Sequence, residues 1–99
     1  MVQEAVRVVS VTLTDNSIEP RTVRVPANYP IKFVVHNAGA CRHQYAVPGI
    51  PDFSIDVLPG QTTTEVFTFV NVGHFEVVSN ENEDQKHGLR GELIVEALY

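Results

Sequence analysis

The sequence predicts an all-β fold, a sandwich of two sheets with about seven to eight strands. Short β-branched and aromatic runs are separated by clusters of Pro, Gly, Asn and Asp. Within those runs apolar residues recur at every second position, and no segment sustains a helical period. Alternation of this kind buries one face of a strand and wets the other, and many short strands with frequent turn signals mark a sandwich or barrel.

Seven segments read as strands: residues 6–14, 21–25, 31–36, 43–47, 62–69, 73–79 and 91–96. An eighth strand is expected without a clear position. In the third segment Ile31, Phe33 and Val35 share one face. In the sixth, Phe75, Val77 and Ser79 share a face and His74, Glu76 and Val78 take the other. Candidates for the inner faces are Phe33, Val35, Phe67, Phe69, Phe75, Val77, Leu93 and Val95. Turns are expected at Asp15-Asn16, Glu19-Pro20, Pro26-Ala27-Asn28, Asn37-Ala38-Gly39, Leu58-Pro59-Gly60 and Val72-Gly73, where breakers meet strand ends. Residues 48–53 read as a short helix or an irregular stretch.

Ninety-nine residues make one domain, 1–99, large enough for a single core. Twelve acidic against seven basic residues give a net charge of −5, which argues against nucleic acid, since phosphate binding needs clustered Lys and Arg. No apolar run is long enough to span a bilayer as a helix. The single cysteine, Cys41, excludes an internal disulfide, and a lone cysteine is more often a buried small hydrophobe than a ligand. Met1-Val2-Gln3-Glu4 lacks the positive start and apolar core of a secretion signal. Either the chain is made without export or a leader has been removed. His36 and His74 fall on outward faces and read as surface residues.

Several segments in order resemble one family. They are Val11-Thr12-Leu13-Thr14-Asp15 with Ile18-Glu19-Pro20, then Phe33-Val34-Val35-His36-Asn37-Ala38-Gly39 with Cys41-Arg42-His43-Gln44-Tyr45. Leu58-Pro59-Gly60-Gln61-Thr62, Gly73-His74-Phe75-Glu76-Val77 and Gly88-Leu89-Arg90-Gly91 follow. Together the chain resembles the cupredoxins, the small single-domain proteins akin to plastocyanin. The resemblance implies a Greek-key sandwich, an extracytoplasmic or periplasmic setting, and a type 1 copper site at one end. Carried over residue by residue, it puts His43 at the first copper-ligand position. The thiolate position holds Ser79, the second histidine position Asp84, and the axial thioether position Leu89. The spacing Ser79-x4-Asp84-x4-Leu89 is that of a Cys-x4-His-x4-Met loop, so the ligands are read as substituted.

A blue copper site depends on a soft thiolate that suits both oxidation states. A serine hydroxyl is hard and stays protonated at neutral pH, and aspartate exchanges a borderline nitrogen for a hard oxygen. The remaining donors are His43, His87, Asp84, Glu83, Glu81 and Cys41. His43, Asp84 and His87 would make a mixed N/O site for Cu(II) or Zn(II). The bland alternative is that His43 hydrogen-bonds in a pocket that copper has left. Cys41 lies two residues before His43, so in an extended segment the two face the same way and would rebuild a thiolate site. Ser79, His43 and Asp84 are also the residue types of a hydrolase triad, but no nucleophile elbow or glycine-rich oxyanion segment surrounds Ser79. Arg42 and Arg90 are expected to pair with the acids at 81–84. The expectation is a non-enzymatic binding or interaction module with an unidentified protein partner. Copper as cofactor and no cofactor at all are equal alternatives. The competing reading is an electron-transfer or copper-handling protein built on Cys41 and His43.

Overall fold

The computed structural model describes residues 7–79 and 88–97, among which there are nine strands and no helix. The strands are β1 (Arg7–Leu13), β2 (Ile18–Glu19), β3 (Thr22–Pro26), β4 (Pro30–Asn37), β5 (His43–Ala46), β6 (Ser54–Val57), β7 (Thr62–Thr68), β8 (Gly73–Val78) and β9 (Arg90–Glu96). They form a four-stranded sheet in the order β2-β1-β4-β7 and a five-stranded sheet in the order β3-β9-β8-β5-β6. The chain passes between the sheets repeatedly, as in the expected Greek-key sandwich.

Seven strands fall where alternation puts them. The two that the pattern leaves out are β2 and β6. Each is only two to four residues long, too short for a period of two to stand out. Residues 48–53 are not helical. Ile50 N–H bonds to Val47 C=O at 2.9 Å and Phe53 N–H to Ile50 C=O at 3.0 Å, giving two successive turns that carry β5 into β6.

Two parallel pairings position the ends of the sandwich. β1 runs beside β4 from Arg7↔Ile31 to Leu13↔Asn37, and β3 beside β9 from Thr22↔Glu92 to Pro26↔Glu96. Because β1 and β4 finish in register, the loops that follow them emerge side by side. That juxtaposition builds the site described below.

The core lies between the sheets. Ile31, Phe33 and Val35 of β4 are fully buried, as are Val77 of β8 and Leu93 of β9. An aromatic cluster centres on Phe53, whose ring centroid lies 4.9 Å from Phe33, 5.1 Å from Phe67 and 5.2 Å from Phe69, in tilted to edge-on contacts. Phe67 and Phe75 stand on the inner faces as expected but are only half-buried. Phe75 lies against Gly49 and Gly73, which have no side chain to close over its ring. Phe67 sits on β7, an outer strand of its sheet.

Candidate functional site

The site is built at the end of the sandwich where β1, β4 and β8 finish and β5 begins. His43 is the first residue of β5 and is 1% exposed. Its Nε2 lies 2.8 Å from Oδ1 of Asp15, in the loop after β1. An ionised carboxylate only accepts, so the ring proton sits on Nε2 and is donated to Asp15.

Asp15 holds more than the imidazole. Its carboxylate accepts the Ala40 N–H at 3.0 and 3.1 Å and the Cys41 N–H at 3.4 Å. The His43 hydrogen bond, then the Ala40 N–H, hold its carboxyl below the usual range, against a slight opposing effect of desolvation. Asp15 therefore ties the loop after β1 to the loop after β4. Gly39 allows the close approach: a Cβ there would overlap Asp15 Oδ1 and come within 2.9 Å of His43 Nε2.

Asn37 closes β4 beneath this tie and is fully buried. Its Nδ2 donates to Cys41 C=O at 2.8 Å and Val57 C=O at 2.9 Å, while its Oδ1 accepts the Gly39 N–H at 2.8 Å. These bonds fix the turn that delivers His43. They also bend the chain, so residues 39–41 are not extended. Cys41 consequently lies on the surface while His43 is buried, and the two do not share a face. The exposed thiol also corrects the expectation of a buried small hydrophobe.

Ser79 follows β8 and is fully buried. Its Oγ accepts the Gln44 N–H at 2.9 Å, linking the end of β8 to the start of β5. The Ser79 N–H reaches Leu89 C=O at 3.3 Å, so the two residues flank the neck of the 80–88 segment. Leu89 is fully buried and belongs to the core. Asp84, His87, Glu83 and Glu81 lie outside the described residues. Arg42 reaches Asp56 at 3.4 Å and Arg90 reaches Glu76 at 3.8 Å, both on the surface. His74 is exposed beside Glu92, and His36 is half-buried with its Nδ1 2.9 Å from Thr62 Oγ1.

A family model described as the cupredoxin-like domain matches residues 2–95. The chain belongs to that family. No curated protein matches it significantly by sequence. Among solved structures, auracyanin B superimposes with a TM-score of 0.81 at 12% identity, over 97% of this chain and 93% of that one. Auracyanin from the photosynthetic bacterium Roseiflexus castenholzii gives 0.77 at 14% identity, over 96% and 99%. The periplasmic domain of cytochrome oxidase subunit II of Bradyrhizobium japonicum gives 0.76 at 20% identity, over 98% and 88%. At these identities the likeness is one of fold.

Among the described residues, the donors this cupredoxin-like chain presents do not fit a type 1 copper ion. Ser79 offers a hard hydroxyl already bonded to a backbone N–H, and Leu89 offers no donor atom. His43 has one nitrogen committed to Asp15. Among the described residues no three His, Cys, Asp or Glu side chains group as metal ligands. Sequence reading missed Asp15 and Gln44 as members of this site. Asp15 reads as a turn residue because its partners are more than twenty positions away, and only the β1–β4 register brings them together.

Proposed function

We propose that this protein is a non-enzymatic, extracytoplasmic cupredoxin-like module that acts by binding another protein, its former metal end converted into a hydrogen-bonded part of the framework. The observation that carries this is Ser79. It stands buried at the end of β8, and its Oγ is bonded to the Gln44 N–H. A hydroxyl is too hard to replace a soft thiolate, and here its oxygen is engaged by the framework. The Asp15–His43 pair supports the same reading, because the one inherited imidazole is oriented by a carboxylate of the chain itself. The extracytoplasmic setting rests on family membership and on likeness in fold to a periplasmic oxidase domain.

Non-blue binding of Cu(II) or Zn(II) is compatible with this role. His43 would supply the imidazole, with Asp84 and His87 as the oxygen and nitrogen donors that the sequence offers beside it.

Titration of metal-free protein with Cu(II), followed by visible absorption and electron paramagnetic resonance, tests the proposal. A faint ligand-field band or none is expected, unchanged by Cys41→Ser. Any residual binding should disappear in His43→Ala. An intense charge-transfer band that Cys41→Ser abolishes would overturn the module reading in favour of a rebuilt thiolate site and electron transfer.

A further inference from the structure

Far from His43, the two sheets part along one side of the sandwich. β7 is the outer strand of the four-stranded sheet and β6 that of the five-stranded sheet. Near Thr63 the seam is closed, its Oγ1 reaching Asp56 C=O at 3.4 Å. Away from that point it opens into a groove of about 80 Å³ between residues 52–55 and 65–67. It widens to about 270 Å³ where Ile50 and Asp52 face Phe67 and residues 68–71. At this wide end the floor is apolar, formed by the half-buried Phe67 and Ile50 over the aromatic cluster.

β7 is suited to pairing. Thr62-Thr63-Thr64-Glu65-Val66-Phe67-Thr68 is rich in β-branched and aromatic residues, contains no proline, and has one neighbour in its sheet, β4. Its outer side presents the unpaired backbone groups of an edge strand, the template for adding another strand. Edges are commonly blunted by lysine, proline, a bulge or an inward-pointing charge, and here the single charge is acidic, so an incoming strand has to bring a base to meet it. Glu65 pairs in register with Phe33, so it stands on the inward row at the lip of the groove. Asp52 stands on the opposite lip. Neither carboxylate has an ion-pair partner among the described residues.

We propose that this groove receives an extended basic segment of a partner protein, which adds a strand to β7, places an apolar side chain over Phe67, and sets Lys or Arg against Glu65 and Asp52. The same charges reject a second copy of the chain. Glu65 is the central residue of β7, so symmetric antiparallel pairing would set two glutamates opposite one another. The proposal names the surface through which the interaction role would act and rests on that role. Its chemistry is independent of the metal end, so copper results and peptide results fail separately.

The test uses a fluorescein-labelled peptide whose one face carries lysine and valine or phenylalanine in turn at every second position, to match Glu65 and Phe67 on one row, with threonine on the other face, and its counterpart with glutamate for lysine, in anisotropy titrations at low and high salt. Saturable binding of the lysine peptide is expected, weakened by salt, with protection of β7 amides from hydrogen exchange. Glu65→Lys combined with Asp52→Lys should weaken it at least tenfold. Both positions are exposed, and an unchanged thermal melt verifies the fold of the variant. Absence of saturable binding, equal binding of the glutamate peptide, or binding that survives the double substitution would overturn the proposal. So would a dimer of the free chain with protected β7 amides, which would assign the edge to a second copy.

Discussion

Ser79 and Asp15 divide the work of tying together the end of the sandwich where β1, β4 and β8 finish and β5 begins. Ser79→Ala removes the acceptor of the part-buried Gln44 N–H bond, and losing such a bond costs about 0.5–1.5 kcal/mol. Urea melts at neutral pH should show a loss in that range. A loss near zero would mean that the hydroxyl is dispensable to the framework. Asp15 acts through its charge. Its hydrogen bonds from His43 and Ala40 hold the folded-state carboxyl below the usual aspartate range, so its contribution is fully present above the unfolded value. That contribution disappears as pH falls through the lower folded value. From about pH 4 downward the wild type should therefore lose stability faster than Asp15→Asn, which keeps an acceptor for Ala40 but cannot ionise. Parallel acid titration curves for the two proteins would remove Asp15 from the clamp. The inward place of Ser79 at the end of β8 was readable from alternation along the strand. The clamp was not, because an aspartate beside an asparagine in a turn carries no local mark of a partner across two strands.

At the level of strands, alternation told inward from outward faces wherever a strand was long, as in β1, where Val9, Val11 and Leu13 are buried and their neighbours exposed. It was a weaker guide to depth. Phe33 and Phe75 occupy equivalent inward places, yet Phe33 is central in its sheet while Phe75 sits over two glycines. Truncation should separate them. Phe33→Ala is expected to cost about 3–5 kcal/mol and Phe75→Ala roughly 1–2 kcal/mol, in proportion to the apolar surface each removes from water. Equal losses in denaturant melts would show that Phe75 is as deeply packed as Phe33. At residues 48–53 the apolar positions Ile50 and Phe53 are three apart, which suits a helical turn. Pro48, Gly49 and Pro51 instead favour the observed successive turns. Gly88 marks another such position, at φ +99° and with a Cβ that would lie 2.6 Å from Asn16 C=O, so the loop after β1 leans on the entry to β9.

Over the whole molecule the two sheets share one core, and Tyr45 joins that core to the candidate site. It lies on β5 two residues after His43, is 1% exposed, and its ring is edge-on to Phe53 at 6.0 Å. Burial pushes its phenol well above the ordinary range, because a phenolate between the sheets would be stripped of water. In the unfolded chain the same group ionises near pH 10. Folded and unfolded states then bind protons equally below that value, and above it the unfolded state alone releases one. Stability should hold steady into mild alkali and fall as pH rises past about 10. A small sandwich of this kind unfolds as a unit, so one buried phenol is felt in the global transition. Tyr45→Phe keeps the ring in the cluster and removes the ionisation. Its alkaline decline should be shallower than the wild type's when urea midpoints are compared between pH 8 and about 11. An identical decline would mean that the Tyr45 hydroxyl reaches water in the folded state.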